Sequence, residues 1–204
     1  MSKLSAKKLA DRVRDDELRG LNFDWRMQSR DRQRPPDGDW TTWLLMGGRG
    51  SGKTRAGAEW VRQLVEAGVS PIALVGETML EAMAVMVRGV SGIMRVTPTE
   101  DRPRIRGQTL TWPNGVEATV LGASDPERFR GPQFAAAWCD ELAKWKKAEA
   151  AWDMLQFGLR LGERPRQLVT TTPRSTPLIK RLRADPGTVT VVMRTDDNRN
   201  ELAE

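Results

Sequence analysis

Apolar runs alternate with amphipathic stretches along most of this chain, which is typical of an α/β fold. Short continuous runs of apolar and β-branched residues predict strands that are buried on both faces, as in a parallel sheet. Apolar positions at helical spacing predict helices between them. The predicted strands cover residues 41–46, 71–76, 134–139, 167–172 and 188–193, and the predicted helices cover 55–65, 78–88, 142–161 and 179–184. We therefore expect a three-layer α/β domain with a mostly parallel central sheet.

One pair of apolar runs departs from this alternation. Residues 109–112 and 116–121 flank the dipeptide Asn114-Gly115, which is a strong short-range signal for a hairpin turn. We expect these two runs to form an antiparallel hairpin that adds to the parallel sheet.

A glycine-rich segment joins the first predicted strand to the first predicted helix. It reads Gly47-Gly48-Arg49-Gly50-Ser51-Gly52-Lys53-Thr54 and fits the pattern G-x-x-x-x-G-K-[ST]. The glycines let backbone N–H groups turn inward around a phosphate, and the helix that follows adds unpaired N–H groups and its dipole. In such loops the lysine, here Lys53, reaches the β- and γ-phosphates, and the hydroxyl of Thr54 ligates Mg²⁺. We interpret residues 47–54 as a phosphate loop for ATP and Mg²⁺; the alternative is a glycine-rich turn without a ligand.

An acidic pair follows the predicted strand at 134–139. Asp140 is placed to hold Mg²⁺ through its water shell together with Thr54, and Glu141 is placed to polarise an attacking water. The alternative is an acidic N-cap for the helix that follows. A catalytic glutamate next to the metal-binding carboxylate favours hydrolysis. It argues against transfer of the phosphoryl group to an acceptor hydroxyl, which is the reaction of a kinase.

Composition narrows the classes of function. The 204 residues suit one large domain, or one domain with a short appendage. The net charge of +6 suits a polyanionic partner, although arginine-rich surfaces are also ordinary solvated faces. The single cysteine, Cys139, excludes a disulfide framework, and the absence of histidine excludes histidine bases and ligands. Without a long apolar run or a signal peptide, we expect a cytoplasmic protein with no membrane partner.

The segment from Gly47 to Trp60 resembles the first ATPase motif of large terminase subunits, the DNA-packaging motors of tailed bacteriophages and of phage-derived gene transfer agents. Further stretches that resemble this family lie at 130–134, 138–142, 158–162 and 170–174, and the similarity runs from about Arg34 to the end of the chain. The resemblance implies a P-loop NTPase fold of the additional-strand, catalytic-glutamate type.

The resemblance also implies roles for residues that the general motifs leave unassigned. Arg49, inside the phosphate loop, matches an arginine that touches the γ-phosphate. Arg130 matches an arginine finger supplied to a neighbouring subunit. Thr170, Thr171 and Thr172 resemble the coupling motif that relays the state of the γ-phosphate. For both arginines the alternative is a surface salt bridge.

We divide the chain on this basis into three parts. Residues 1–33 form an arm that docks partly near the nucleotide pocket, where Gln33 reads the adenine edge or is simply a surface glutamine. Residues 34–195 form the ATPase domain, and residues 196–204 begin the linker to the nuclease domain that the family carries. We expect no nuclease activity from this chain.

The resemblance implies that ATP hydrolysis drives double-stranded DNA into a viral or virus-like procapsid. The expected partners are DNA, a portal protein, a small terminase subunit and further copies of this chain in a ring on the portal. Two alternatives remain: another P-loop NTPase, such as a kinase or a helicase-like enzyme, and a nucleotide-dependent assembly switch.

Overall fold

The computed structural model describes residues 23–193, so the predicted linker at 196–204 and most of the predicted arm lie outside the described residues. The chain divides into two compact units, Met1–Arg30 and Asp31–Glu204. The described part of the first unit holds one short helix, α1 (Trp25–Gln28), whose N-cap residue Asp24 accepts a hydrogen bond from the backbone N–H of Arg26 at 2.9 Å.

The second unit alternates strands with helices over most of its length. Its strands are β1 (Thr42–Gly47), β2 (Ile72–Gly76), β3 (Arg104–Arg106), β4 (Thr109–Thr111), β5 (Glu117–Gly122), β6 (Ala136–Asp140), β7 (Arg166–Thr171) and β8 (Thr188–Met193). Its α-helices are α2 (Lys53–Glu66), α3 (Met79–Ala82), α4 (Ile93–Val96), α5 (Ala148–Gly158) and α6 (Pro177–Ala184). Single turns of 3₁₀-helix cover Asp31–Gln33, Thr99–Asp101, Pro126–Phe129 and Leu142–Lys144, and a π-helical turn covers Met83–Val87.

The eight strands form one sheet in the order β3-β4-β5-β2-β6-β7-β1-β8. The six strands from β5 to β8 in this order pair in parallel, and β3, β4 and β5 pair antiparallel. The mostly parallel sheet and the added hairpin around Asn114-Gly115 are therefore confirmed. Strand β7 is inserted between β1 and β6, so the phosphate loop, the acidic pair and the threonine run all follow neighbouring strands at one edge.

Helices cover both faces of the sheet because alternate strand residues point to opposite sides. On one face, β-strand residues such as Val169 and Cys139 join Trp152 and Leu155 of α5 and Leu178 of α6 in a buried apolar cluster. On the other face, Gly57 of α2 lies directly against the ring of Trp138 of β6. The three predicted layers are thus present.

The boundaries of two predicted helices differ from the expectation. The helix predicted over 142–161 begins with a 3₁₀ turn, becomes α-helical only at Ala148 and ends at Gly158. Trp145 has an extended backbone, and its indole N–H donates to the carbonyl of Asp140 at 3.0 Å, which holds this turn against the end of β6. The helix predicted over 78–88 is α-helical only over Met79–Ala82 and then π-helical.

Strand β3 and helices α1 and α4 were not predicted. Each spans only three or four residues, which is too short for a periodic signal. Among the described residues, no helix has both the length and the apolar character needed to span a membrane.

Candidate nucleotide-binding site

The loop between β1 and α2 has the backbone that its glycines allow. Gly50 and Gly52 lie in the left-handed region, with φ of 74° and 88°. A Cβ atom on Gly47 would lie 2.5 Å from the hydroxyl of Ser51, and that hydroxyl donates to the carbonyl of Gly48 at 2.9 Å. Side chains larger than glycine at these positions would therefore strain the loop or close it.

Lys53 is the first residue of α2, and its side chain turns back over the loop. Its Nζ donates to the carbonyls of Gly47 at 2.8 Å and of Gly48 at 2.9 Å, and lies 3.8 Å from Oε1 of Glu141. Burial lowers the pKa of Lys53, the carboxylates of Glu141 and Asp140 raise it, and the charge of Lys144 lowers it again. The amine is thus held between the glycine-rich loop and the acidic pair.

Asp140 is the last residue of β6, and it is buried. Its Oδ1 accepts a hydrogen bond of 2.6 Å from the hydroxyl of Thr170 on the neighbouring strand β7. Burial raises the pKa of Asp140 to about 6; the hydrogen bond from Thr170 opposes this shift, the charge of Glu141 adds to it, and Lys53 opposes it. A carboxylate so placed is stabilised in its charged form by any cation that binds beside it.

Glu141 is the only described non-glycine residue with a left-handed backbone, with φ of 52° and ψ of 40°. Its Oε2 accepts hydrogen bonds of 3.3 Å from both the backbone N–H and the hydroxyl of Thr172, and lies 3.7 Å from Nζ of Lys144. The left-handed turn directs the chain away from β6 and lets the carboxylate sit between Lys53 and Thr172.

The three threonines of the predicted coupling motif have different contacts. Thr170 bonds to Asp140, while the hydroxyl of Thr171 accepts from the backbone N–H of Ala143 at 3.1 Å and donates to the carbonyl of Thr172 at 3.3 Å. Thr172 bonds to Glu141. The end of β7 is thus connected to the carboxylate of Asp140, to the turn after β6 and to the carboxylate of Glu141.

The remaining predicted site residues differ in burial. Gln33 is 7% exposed, and its amide nitrogen lies where a side chain on Gly52 would be, so it is not a surface glutamine. Thr54 is half-buried in the first turn of α2, and Arg49 is exposed at the tip of the loop. Arg130 is also exposed, and its Nη1 pairs with Oε2 of Glu127 at 3.0 Å. Arg130 therefore forms the surface salt bridge that was its alternative interpretation.

The donor groups at this edge fit a magnesium nucleotide. Mg²⁺ prefers oxygen ligands and usually takes one or two from the protein, the rest being waters and phosphate oxygens. The Thr54 hydroxyl and the Asp140 carboxylate are the residues that would hold it, with Lys53 as the counter-charge for the phosphates.

Sequence reasoning missed two residues of this site, Trp138 and Lys144. The indole N–H of Trp138 donates to the hydroxyl of Thr170 at 2.9 Å. Strand alternation could have indicated Trp138, because residues 138 and 140 share one face of β6. Lys144 stands three residues after Glu141, which is ordinary spacing for a local ion pair, but the irregular turn there was predicted as helix.

The class of protein follows from this arrangement. A phosphate loop, an adjacent Asp-Glu pair and a strand inserted between their two strands define a P-loop NTPase of the additional-strand, catalytic-glutamate type. Residues 44–196 match the family described as "Terminase large subunit, T4likevirus-type, N-terminal". The chain therefore belongs to the terminase large subunit family, as its resemblance had implied.

Solved structures show the same fold. The large terminase ATPase domain of Thermus phage P74-26 is 15% identical with a TM-score of 0.57, over 80% of this chain and 81% of that chain. A large terminase from a thermophilic bacteriophage, in complex with ADP, is 14% identical with a TM-score of 0.65, over 89% of this chain and 46% of that chain. The bacteriophage HK97 large terminase is 19% identical with a TM-score of 0.56, over 75% of this chain and 35% of that chain. No curated protein sequence matches this chain.

Proposed function

We propose that this domain hydrolyses ATP with Mg²⁺ and that hydrolysis drives the packaging of double-stranded DNA. The observation that carries the proposal is the position of Glu141, 3.8 Å from the phosphate-loop lysine and next to the buried Asp140. Membership of the terminase family supports DNA packaging as the use to which hydrolysis is put.

The roles of the residues follow from the chemistry of phosphoryl transfer to water. The N–H groups of residues 47–54 and the amine of Lys53 bind and orient the phosphates. Mg²⁺, when bound, neutralises charge on the β- and γ-phosphates. Glu141 accepts a proton from the attacking water, and its bonds to Thr172 hold the carboxylate in place before the reaction. Release of those bonds, once Glu141 engages the water, would pass the state of the site to β7.

Three residues have roles that concern parts of the reaction beyond this cluster. Arg49, which is exposed on the loop, would contact the γ-phosphate. Gln33, with its amide beside Gly52, would read the edge of the adenine base. Arg130 would leave Glu127 and act on the nucleotide of a neighbouring copy.

The partners that this function requires are double-stranded DNA, a portal protein, a small terminase subunit and further copies of the chain in a ring. DNA contacts of a packaging motor concern the phosphate backbone, and the net charge of +6 suits such contacts. We place this activity in the cytoplasm of the host cell, at the procapsid.

The experiment that tests the proposal compares two variants, Glu141→Gln and Glu163→Gln. Glu163 is an exposed glutamate in the loop before β7, at the amino ends of the parallel strands. Steady-state ATPase activity and binding of a fluorescent ADP analogue are measured for each, with and without double-stranded DNA. We expect Glu141→Gln to lose about 10²–10⁴-fold in turnover while nucleotide affinity is retained, because only proton transfer is removed. Glu163→Gln should match the wild type.

Each rival function has its own result. Near-normal turnover in Glu141→Gln would show that Glu141 does not accept the proton of the attacking water. A wild-type protein that binds nucleotide without turnover, with or without DNA, would instead indicate an assembly switch. Turnover that requires a hydroxyl acceptor would indicate a kinase.

A further inference from the structure

A chain of two hydrogen bonds reaches from the interior of the sheet to the metal-site carboxylate. The indole N–H of Trp138 donates to the Thr170 hydroxyl at 2.9 Å, and this hydroxyl lies 2.6 Å from Oδ1 of Asp140. Trp138 and Thr170 are fully buried, and Asp140 is 7% exposed. Bulk water therefore does not compete for these groups, and a missing partner would leave a buried polar atom unpaired.

The direction of both hydrogen bonds is fixed by the chemistry of the three groups. An indole N–H can only donate, so the Thr170 hydroxyl accepts from Trp138 and has one proton left. That proton can go to Oδ1 of Asp140 at 2.6 Å or to the carbonyl of Cys139 at 3.3 Å. When Asp140 is ionised, as it is beside a bound cation, the second choice would leave two oxygen lone pairs facing each other at 2.6 Å, so the proton belongs on the bond to Asp140.

The phosphate-loop helix holds the indole in place. A Cβ atom on Gly57 of α2 would overlap Cε2 and Cζ2 of Trp138, so the helix backbone lies directly on the ring. Gly57 is one turn after Lys53 on the same face of α2. The helix that positions the lysine therefore also backs the tryptophan that supports the carboxylate.

We propose that Trp138 is a positioning residue for the metal site, acting on Asp140 through Thr170. By accepting from Trp138, Thr170 is left with its proton directed at Oδ1, which fixes the carboxylate rotamer and leaves Oδ2 for the water shell of Mg²⁺. Partners of this kind orient metal ligands, and their loss typically costs metal affinity. The inference rests on the proposed function, since it takes Asp140 as the metal-binding carboxylate.

The test measures metal binding directly. Mn²⁺ is titrated by electron paramagnetic resonance into the full chain in the presence of ADP, and the Mg²⁺ concentration that half-saturates the binding of a fluorescent ADP analogue is determined separately. Trp138→Phe keeps an aromatic ring and removes the N–H. We expect it to raise both midpoints about threefold to tenfold, the equivalent of one neutral hydrogen bond. Thr170→Val should raise them about 10–100-fold, and Thr170→Ser, which keeps the hydroxyl, should restore wild-type values.

Trp43→Phe is the matched control. Trp43 is a fully buried tryptophan on strand β1, and its indole nitrogen has no hydrogen-bond partner among the described residues. This variant makes the same change of shape without breaking a hydrogen bond, so its metal midpoints should be those of the wild type.

A double variant separates positioning from a general loss of stability. If Trp138 acts through Thr170, Trp138→Phe should have no further effect on the midpoints in the Thr170→Val background. Additive effects would contradict this route, and so would an unchanged midpoint in Trp138→Phe accompanied by a lower melting temperature. If Trp138→Phe does not fold, wild-type midpoints in Thr170→Val overturn the proposal on their own. A wild-type chain that binds no Mn²⁺ with ADP would overturn the proposed function as well.

Discussion

The charged groups of this domain occur in two contrasting arrangements near the carboxyl ends of the parallel strands. Lys53 and Asp140 are buried and Glu141 is half-buried, and each is bonded to backbone or side chains of other elements. In the turn at 125–130, by contrast, Arg128 and Arg130 pair with acidic residues three positions earlier, and all four side chains are more than half exposed. The buried cluster is organised by its own chain, whereas the exposed pairs are free to exchange partners.

The two arrangements differ in where the charged groups find their partners. Buried charges are costly unless they are paired, so the fold itself must supply the partners of the first cluster. Exposed ion pairs contribute little to stability, so Arg130 can leave Glu127 at small cost. A surface arginine of this kind suits a contact that forms only when another subunit arrives.

The largest expected effect concerns Arg130 and the rate of hydrolysis. Arginine fingers supplied in trans are worth about 10³–10⁵ in turnover, so Arg130→Ala should bind nucleotide normally and remain inactive in assembled rings. Mixing it with Lys53→Ala tests the geometry, because one variant supplies the pocket and the other the finger. Recovered ATPase activity in the mixture is the expected result. Wild-type turnover of Arg130→Ala in full assemblies would show that Arg130 has no part in hydrolysis and forms only its salt bridge with Glu127.

The next effect concerns the stability cost of the buried carboxylate. The pKa of Asp140 is about 6 in the folded protein, above its ordinary value of 3.8, so the folded state favours the protonated carboxyl. The stability that this preference contributes is fully present below pH 3.8 and is lost as the pH rises through about 6. Asp140→Asn should therefore stabilise the nucleotide-free protein at pH 8, by about 3 kcal/mol at most. Urea unfolding at pH 8 and pH 4 measures this gain, which should shrink at the lower pH. Equal effects at both values would contradict the assignment.

A smaller loss is expected where α2 meets β6. Gly57→Ala places a methyl group on the ring of Trp138, and overpacking of this kind costs about 1–3 kcal/mol. The free energy of unfolding from urea titration measures it. If Gly57→Ala is as stable as the wild type, the ring of Trp138 can move, and its role as a fixed donor fails.

The smallest effect should come from the exposed pairs. Arg128→Ala, which breaks the pair with Asp125, should change the free energy of unfolding by about 0–1 kcal/mol, and Arg130→Ala by a similar amount. Both changes should shrink further in 1 M salt, because exposed charges are screened. A loss as large as that of Gly57→Ala would show that this turn is organised as firmly as the buried cluster.

The sequence predicts the residues at the carboxyl ends of the parallel strands well, because the sequence signals for these residues are local. The phosphate loop needs particular residues at fixed spacing, and parallel strands necessarily present their carboxyl ends together, so residues 47–54, Asp140 and Thr170 could be placed at one edge before the fold was seen. Trp138 could not be placed in the same way. Its role depends on Gly57 lying on its ring and on Thr170 lying beside it, and both contacts join distant parts of the chain.

Other differences also have tertiary causes. The helical pattern after Glu141 extends across residues 142–147, but the bond from Trp145 to the Asp140 carbonyl holds this stretch in an irregular turn. Strand β3 owes its existence to pairing with β4, since three residues carry no strand signal of their own.

The left-handed backbone of Glu141 has a consequence for attempts to engineer this domain. Outside glycine, a residue in this region costs on the order of 1 kcal/mol or more, and Glu141→Gly would relieve that strain. The same substitution removes the hydrogen bonds to Thr172 and the carboxylate beside the buried amine of Lys53. Stability at position 141 is therefore divided between a backbone conformation that glycine would suit and a side chain that glycine lacks, so a thermostable variant of this domain has to be sought at other positions.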